Sequence, residues 1–155
     1  MSTMSALTLA IQLAHERRDE AGRGLMQAQR AYMQAQNQLD QLETYAADTE
    51  ARWVSAAQIA MSTGILQHHY QFMERLRHAI HLQEGVLADM RRQIEAAKLQ
   101  VQLAETKLAG LQKVLASQQR AWRLKLAQRE QRETDEFAAM QYTRNMAQRL
   151  SGEIA

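Results

Sequence analysis

The feature that most constrains the fold is a heptad pattern of apolar residues that changes phase once, at Met61-Ser62-Thr63-Gly64. Before this break, apolar or small residues recur at alternating steps of four and three from Met4 to Ala60, with Arg18 and Thr49 as polar interruptions. After it, the same spacing runs from Leu66 to Trp122. Such a stripe is typical of an α-helix that buries a narrow seam against another helix.

The phase change predicts that the chain reverses direction at the break. A single continuous helix would carry Glu74 and Arg77 into the seam, where burying charge is costly. In an antiparallel hairpin that turns near position 63, apolar residues face one another instead. The predicted seam pairs are Ala60 with Leu66, Trp53 with Met73, Leu39 with Leu87, Leu25 with Val101, Ile11 with Leu115 and Met4 with Trp122. We therefore predict an all-α fold, a long antiparallel two-helix coiled-coil hairpin with a helical C-terminal overhang.

The boundaries follow from this hairpin. We predict one coiled-coil domain over residues 1–155, with helix 1 at about 5–60, a turn near 61–65, helix 2 at about 66–140 and a frayed tail at 141–155. Gly64 is expected to end the first helix at positive φ, and Ser62 or Thr63 to cap the second. Gly22 and Gly24 interrupt helix 1, where they either allow a close approach of the two backbones or soften the helix.

Composition supports long helices and a cytoplasmic protein. The chain has no proline, only 5% aromatic residues and no cysteine. Absence of cysteine excludes disulfides and thiolate chemistry, and it suits a reducing cytoplasm. The apolar segment from Leu7 to Ala14 contains Thr8 and Gln12 and is far too short to span a membrane. We expect a soluble protein.

Charge is distributed unevenly along the chain. The net charge is only +2, yet residues 112–132 carry six basic residues against one acidic residue, a local balance of +5. These residues are Lys113, Arg120, Arg123, Lys125, Arg129 and Arg132 against Glu130. A basic helix can bind an acidic partner, nucleic acid or a membrane surface, or it can be a solvated helix face. The overall charge and the lack of a recognition motif disfavour nucleic acid.

The histidines and the other polar residues do not predict an enzyme. His68, His69, His78 and His81 lie within one stretch, with Glu74 between them, but no further carboxylate or thiolate completes a zinc site. The chain has no Gly-rich phosphate loop, no G-x-S-x-G and no H-E-x-x-H motif, and a two-helix hairpin offers no concave pocket. We expect no catalytic residue, no cofactor and no metal.

A second stripe lies beside the seam. It consists of Gln38, Leu42, Tyr45 and Thr49 on the first helix and Phe72, Leu76, Ala79 and Gln83 on the second. Leu42 and Leu76 belong to the seam as well, whereas Tyr45 and Phe72 do not. The two aromatic residues either widen a thin core or form an exposed anchor for another protein.

The order of these features resembles the FliJ family, the soluble stalk of the bacterial flagellar type III export apparatus. The resemblance rests on Gln38-Leu39, Tyr45, Gly64-Ile65, Tyr70-Gln71-Phe72, Leu76, Ala79-Ile80, the tryptophan of the second helix and Asp135-Glu136-Phe137-Ala138. It implies a cytoplasmic coiled coil, similar to the central stalk of rotary ATP synthases, that inserts into the hexameric export ATPase. It also implies binding to export chaperones and to the cytoplasmic domain of the export-gate protein FlhA, at the inner membrane.

The resemblance and the charge pattern together give two sets of candidate partner-binding residues. By position, the export-gate surface consists of Gln38, Leu42, Tyr45, Phe72, Leu76 and Ala79. The candidates for the ATPase ring are the basic residues of the overhang, Arg120, Arg123, Lys125, Arg129 and Arg132. Two alternatives stay open, the stalk of an injectisome type III secretion system and a generic dimeric coiled-coil scaffold. A solution mass of 17.7 kDa, that of a monomer, would favour the hairpin over the dimer.

Overall fold

Two long α-helices make up the described part of the chain. A computed structural model describes residues 2–57 and 62–154, with helix α1 at Ser2–Ala57 and helix α2 at Thr63–Ile154. These residues include no strand. The two helices pack against each other as a helical hairpin, which confirms the predicted fold class. Neither helix, as far as it is described, contains a segment long and apolar enough to cross a membrane.

Burial follows the predicted heptad stripe along both helices. In α1 every stripe position from Met4 to Ala56 is buried or half-buried, including the two polar ones. In α2 the same holds from Leu66 to Gln118. Trp122 departs from the pattern, because 48% of its surface is exposed. The stripe therefore marks the seam correctly as far as Gln118.

Contacts divide the chain into two compact units. Unit 1 comprises Met1–Leu13 and Leu108–Ala155, and unit 2 comprises residues 14–107. In unit 2, Ala35, Leu39 and Leu87 form a buried cluster. Tyr32, Ile80 and Met90 pack against this cluster. Leu39 and Leu87, a predicted seam pair, thus share one cluster, while the single-domain interpretation of residues 1–155 stays a prediction.

Polar contacts join the two helices of unit 2 beside this cluster. The Gln83 side-chain amide donates hydrogen bonds to the Ala35 carbonyl at 2.9 Å and to Gln38 Oε1 at 3.2 Å. Arg91 Nε donates to the Tyr32 hydroxyl at 3.1 Å, and its guanidinium carbon lies 5.7 Å from the centre of that ring. Directional bonds at a seam position disfavour a slip of one helix along the other.

The second helix begins earlier than predicted. Helix α2 already begins at Thr63, so the part of the predicted turn from 63 to 65 is helical. Helix α1 ends at Ala57, and the predicted helix end at Ala60 and the turn residue Met61 lie outside the described residues.

Ser62 is the reason that α2 begins where it does. Its carbonyl accepts a hydrogen bond from the Leu66 N–H at 3.2 Å, and its hydroxyl oxygen accepts one from the Ile65 N–H at 3.4 Å. These are the two bonds of a helix N-cap, which confirms Ser62 as the capping residue. Gly64 lies in the first turn of α2, and no described glycine has positive φ. The prediction that Gly64 ends the first helix is therefore wrong.

Both helices extend further toward the termini than predicted. Helix α1 begins at Ser2 instead of about residue 5, and α2 continues to Ile154 instead of ending near 140. The residues predicted as a frayed tail are helical through 154, although all described side chains from 119 to 153 are exposed. This segment contains no proline and is rich in strong helix formers such as Ala, Gln, Arg and Leu, which favour helix without a partner.

The two glycines of α1 are not needed for close packing. A Cβ atom placed on Gly22 or Gly24 meets no atom within 4 Å outside the adjacent helical backbone. The interpretation that they allow a close approach of the backbones is therefore wrong, and only the softening of the helix remains as a hypothesis.

We expect Gly24→Ala to raise the free energy of unfolding by about 1 kcal/mol, because alanine lowers the cost of helix formation in a helix interior. Urea unfolding followed by circular dichroism measures this change. Gly64→Ala is the control, since Gly64 has equally open surroundings but lies in the first turn of its helix, where a smaller gain is expected. A loss of stability in Gly24→Ala would show that the glycine fulfils a packing role.

Candidate partner-binding surfaces

The stripe beside the seam forms one surface in unit 2, called here the side surface and consisting of residues 38, 42, 45, 49, 72, 76, 79 and 83. The structure brings its two aromatic residues into contact. The ring centres of Tyr45 and Phe72 are 6.1 Å apart with an 80° angle between the planes, an edge-to-face pair. Tyr45 is 54% exposed and Phe72 40% exposed. The pair thus packs on the flank of the seam and still presents about half of its surface to solvent.

Only part of the side surface is accessible. Leu76 is buried, with 8% of its surface exposed, and Leu42 and Ala79 are half-buried. Gln38 is exposed and accepts a hydrogen bond from Gln83, which is half-buried. The accessible portion therefore consists mainly of the Gln38 side chain and the two aromatic rings, while the leucines contribute little exposed surface.

One of the four clustered histidines has a structural role that the sequence pattern did not reveal. His69 stacks on Trp53 with ring centres 3.9 Å apart and planes within 8° of parallel. Both are heptad stripe positions, but the predicted partner of Trp53 was Met73, four residues further along α2. The predicted register is therefore wrong by about one helical turn at this position. Within the residues that the structure describes, His, Cys, Asp and Glu side chains form no group of three or more that could hold a metal ion.

The basic candidate residues all lie on the part of α2 that belongs to unit 1. They are Arg120, Arg123, Lys125, Arg129 and Arg132, and every one is exposed. The ion pairs found in the described ranges join other residues, Arg18 to Asp19, Arg92 to Asp89 and Lys98 to Glu95. The five positive charges of this basic surface are therefore not neutralised by ion pairs within 2–57 and 62–154.

A groove on α2 accompanies the basic surface. We call it the overhang groove; it has a volume of about 400 Å³ and is lined by Trp122, Lys125, Leu126, Gln128, Arg129 and Arg132. Trp122 and Leu126 form its apolar part, with 48% and 39% of their surfaces exposed. Sequence reasoning assigned Trp122 to the seam and overlooked Leu126. Leu126 lies four residues after Trp122, on the helix face that continues the seam, and this spacing could have indicated that the apolar face extends to Leu126.

A second groove connects this region to the start of α1. It has a volume of about 280 Å³ and is lined by Thr3, Met4, Gln118, Ala121, Trp122 and Lys125. Met4 and Trp122, a predicted seam pair, thus line the same groove. The two grooves share Trp122 and Lys125, so the groove between the helices in unit 1 continues along α2.

Comparison with known proteins identifies the family. The family model described as "Flagellar FliJ protein" matches residues 4–147, nearly the whole chain. No curated protein and no solved structure matches the chain significantly. The matched range contains the side surface and the overhang groove. This family supports a non-enzymatic stalk role related to flagellar protein export and an association with the export apparatus. The chain belongs to the flagellar FliJ protein family.

Proposed function

We propose that this chain is a stalk and escort component of the flagellar type III export apparatus. It acts as a monomer in the cytoplasm, inserts into the ring of the hexameric export ATPase, and contacts the export gate and export chaperones at the inner membrane. The observation that carries the proposal is the family match over residues 4–147. The two surfaces described above supply the chemistry for two different contacts.

The ATPase ring is contacted by the basic surface of unit 1. Five exposed cations, which form no ion pair within the described part of the chain, attract a partner that carries carboxylates, over a range limited by ionic screening. All described residues of α2 from 119 to 153 are exposed, which leaves this segment free to pack against a ring. The contact is expected to weaken as the salt concentration rises.

The FlhA cytoplasmic domain is contacted by the side surface of unit 2. Aromatic side chains are enriched among the residues that carry most of the energy of protein interfaces. The edge-to-face contact between Tyr45 and Phe72 holds both rings in place before binding, which lowers the entropy lost on association. Leu76 is only 8% exposed and therefore contributes little direct contact.

We expect Phe72→Ala to weaken binding of the FlhA cytoplasmic domain about tenfold or more, as for a typical aromatic anchor. The melting temperature should change little, because Phe72 is already 40% exposed. Isothermal titration calorimetry measures the affinity, and circular dichroism measures helicity and melting on the same sample.

Tyr70→Ala is the matched control for this experiment. Tyr70 is an aromatic residue of the same helix, 63% exposed and two positions away, and it lies outside the side surface. Its substitution should leave the affinity unchanged. Equal weakening by both substitutions would refute the assignment of the side surface, and a large loss of helicity in Phe72→Ala would place Phe72 in the core.

A further inference from the structure

The face of α2 that packs against α1 in unit 1 continues beyond the start of α1. Leu115 and Gln118 are half-buried on this face, and Trp122 and Leu126 follow them at helical spacing. Steps of three and four residues keep side chains on one side of a helix. Trp122 and Leu126 nevertheless stay 48% and 39% exposed. The apolar stripe of α2 is thus longer than the helix that covers it.

The two grooves of unit 1 are continuous along this face of α2. The groove lined by Met4 of α1 and Gln118 of α2 shares Trp122 and Lys125 with the overhang groove. A helix lying in the overhang groove would therefore occupy, along α2, the position that α1 occupies before it. From Trp122 to Arg132 the groove covers ten residue steps, about 15 Å of helix or three turns.

The charges that line the overhang groove indicate which kind of helix it can bind. Lys125, Arg129 and Arg132 line the overhang groove. Glu130 belongs to the same stretch but does not line the groove. Glu133, Asp135 and Glu136 follow the groove on α2 and limit the basic region on that side. In coiled coils, residues that flank the apolar seam select their partner by opposite charge. The groove therefore favours a short helix with apolar residues on one face and carboxylates on the flanks.

We propose that the overhang groove binds an acidic amphipathic helix of another protein, which extends the coiled coil by taking the place of α1 beside Trp122 and Leu126. The inference deepens the proposed contact with the ATPase ring, since it rests on the same basic surface, and it names the partner element as a helix packed against an apolar stripe. A purely electrostatic contact with loops would not use Trp122 or Leu126.

The test uses the full chain and a synthetic peptide of about 14 residues, or four turns. The peptide has leucine at the a and d positions of its heptads and glutamate at e and g, where mutual repulsion keeps it from self-association. Fluorescence anisotropy of the labelled peptide measures binding, and tryptophan emission in a Trp53→Phe background reports on Trp122. We expect saturable binding, weaker at high salt, and a blue shift of the emission. A scrambled peptide of the same composition should not bind.

Matched variants locate the binding site. Leu126→Ala and Arg129→Glu should each weaken peptide binding about tenfold or more. Leu124→Ala should leave it unchanged, because Leu124 is 61% exposed but lies two residues from Leu126 and hence on the opposite side of the helix. Arg149→Glu is the corresponding charge control outside the groove. The inference is refuted if the scrambled peptide binds equally, if Leu124→Ala weakens binding as much, or if nothing binds at millimolar peptide.

A second copy of this chain is the competing occupant, and sedimentation of the chain alone detects it. A dimer that Leu126→Ala dissociates would assign the groove to self-association and overturn the acidic-partner inference. The peptide result is independent of the proposed function. If the peptide binds but does not compete with the export ATPase, the groove binds an acidic helix but is not the ring contact. If the peptide does not bind while the chain still stimulates the ATPase, only the groove inference is overturned.

Discussion

Leu87→Ala is expected to lower the free energy of unfolding by about 2 kcal/mol or more, toward the lower end of the roughly 2–5 kcal/mol typical of buried leucines. Leu87 is 2% exposed and belongs to the cluster with Ala35 and Leu39. A two-helix seam has few layers of side chains that can close around the resulting cavity, which raises the cost of the substitution. It also surrounds each residue less completely than a globular core does, which lowers the cost and places the value toward the lower end of the range. Urea unfolding followed at the helical circular dichroism band measures the change.

Leu82→Ala is the control for this substitution. Leu82 is on the same helix and 57% exposed, so the same change in chemistry should shift the free energy of unfolding by no more than about 0.5 kcal/mol. Similar losses in both variants would mean that burial in the seam does not determine stability. The burial of Leu87 in the cluster with Leu39 would then contribute little to stability.

Simultaneous charge reversal at Arg123, Arg129 and Arg132 to glutamate is expected to reduce stimulation of the export ATPase tenfold or more. Placing like charges against an acidic surface costs several kcal/mol and slows association. Binding of the FlhA cytoplasmic domain should stay unchanged, because the side surface belongs to unit 2 and the reversed residues to unit 1. Steady-state ATP hydrolysis and FlhA titration on the same preparations measure the two effects.

The control for charge reversal changes three other exposed arginines, Arg23, Arg30 and Arg52 of α1, to glutamate. The net charge changes by the same amount, so a nonspecific effect of charge would appear in both variants. Stimulation should survive in this control. If both triple variants lose stimulation equally, the basic surface has no special role, and if neither does, the ring contact lies elsewhere.

The heptad stripe made the fold predictable from the sequence. Each seam position contributes little alone, but the steps of three and four run from Met4 to Gln118 through both helices, and burial follows them. The change of phase near Met61 then requires a reversal. This information is global and redundant, so it predicts the hairpin and brings Leu39 and Leu87 into one cluster. The exact register is not fixed by it, because Trp53 stacks on His69 and not on the predicted partner Met73.

The helix ends depend on competing local signals, such as capping residues and glycines, that the heptad stripe does not describe. Ser62 and Gly64 both carry end signals, and the hydrogen bonds of the Ser62 cap give the second helix the residues that we expected in the turn. At the C-terminus, the lack of a partner predicted fraying, while the intrinsic propensity of the many Ala, Gln, Arg and Leu residues favours helix. Propensity has the larger effect in this segment.

The candidate surfaces were predicted in part. The spacing of Tyr45 and Phe72 placed both beside the seam, and their contact follows from that placement. Leu76 is buried because it belongs to both the side surface and the seam. An assignment by position alone does not distinguish exposed members of the side surface from buried ones. Leu126 was not predicted because the seam was expected to stop at Trp122, opposite the start of α1. The apolar face of a helix depends on its own sequence and can extend beyond the end of the partner helix.

ATP hydrolysis by the flagellar export ATPase, measured with and without the wild-type chain at increasing concentration, tests the central claim most directly. A stalk that inserts into the ring and promotes its assembly should raise the hydrolysis rate to a plateau at a stoichiometry well below one chain per ATPase subunit, and high salt should reduce the effect. Hydrolysis that stays at the basal rate at every concentration, with the chain folded as a monomer, would contradict the proposed function.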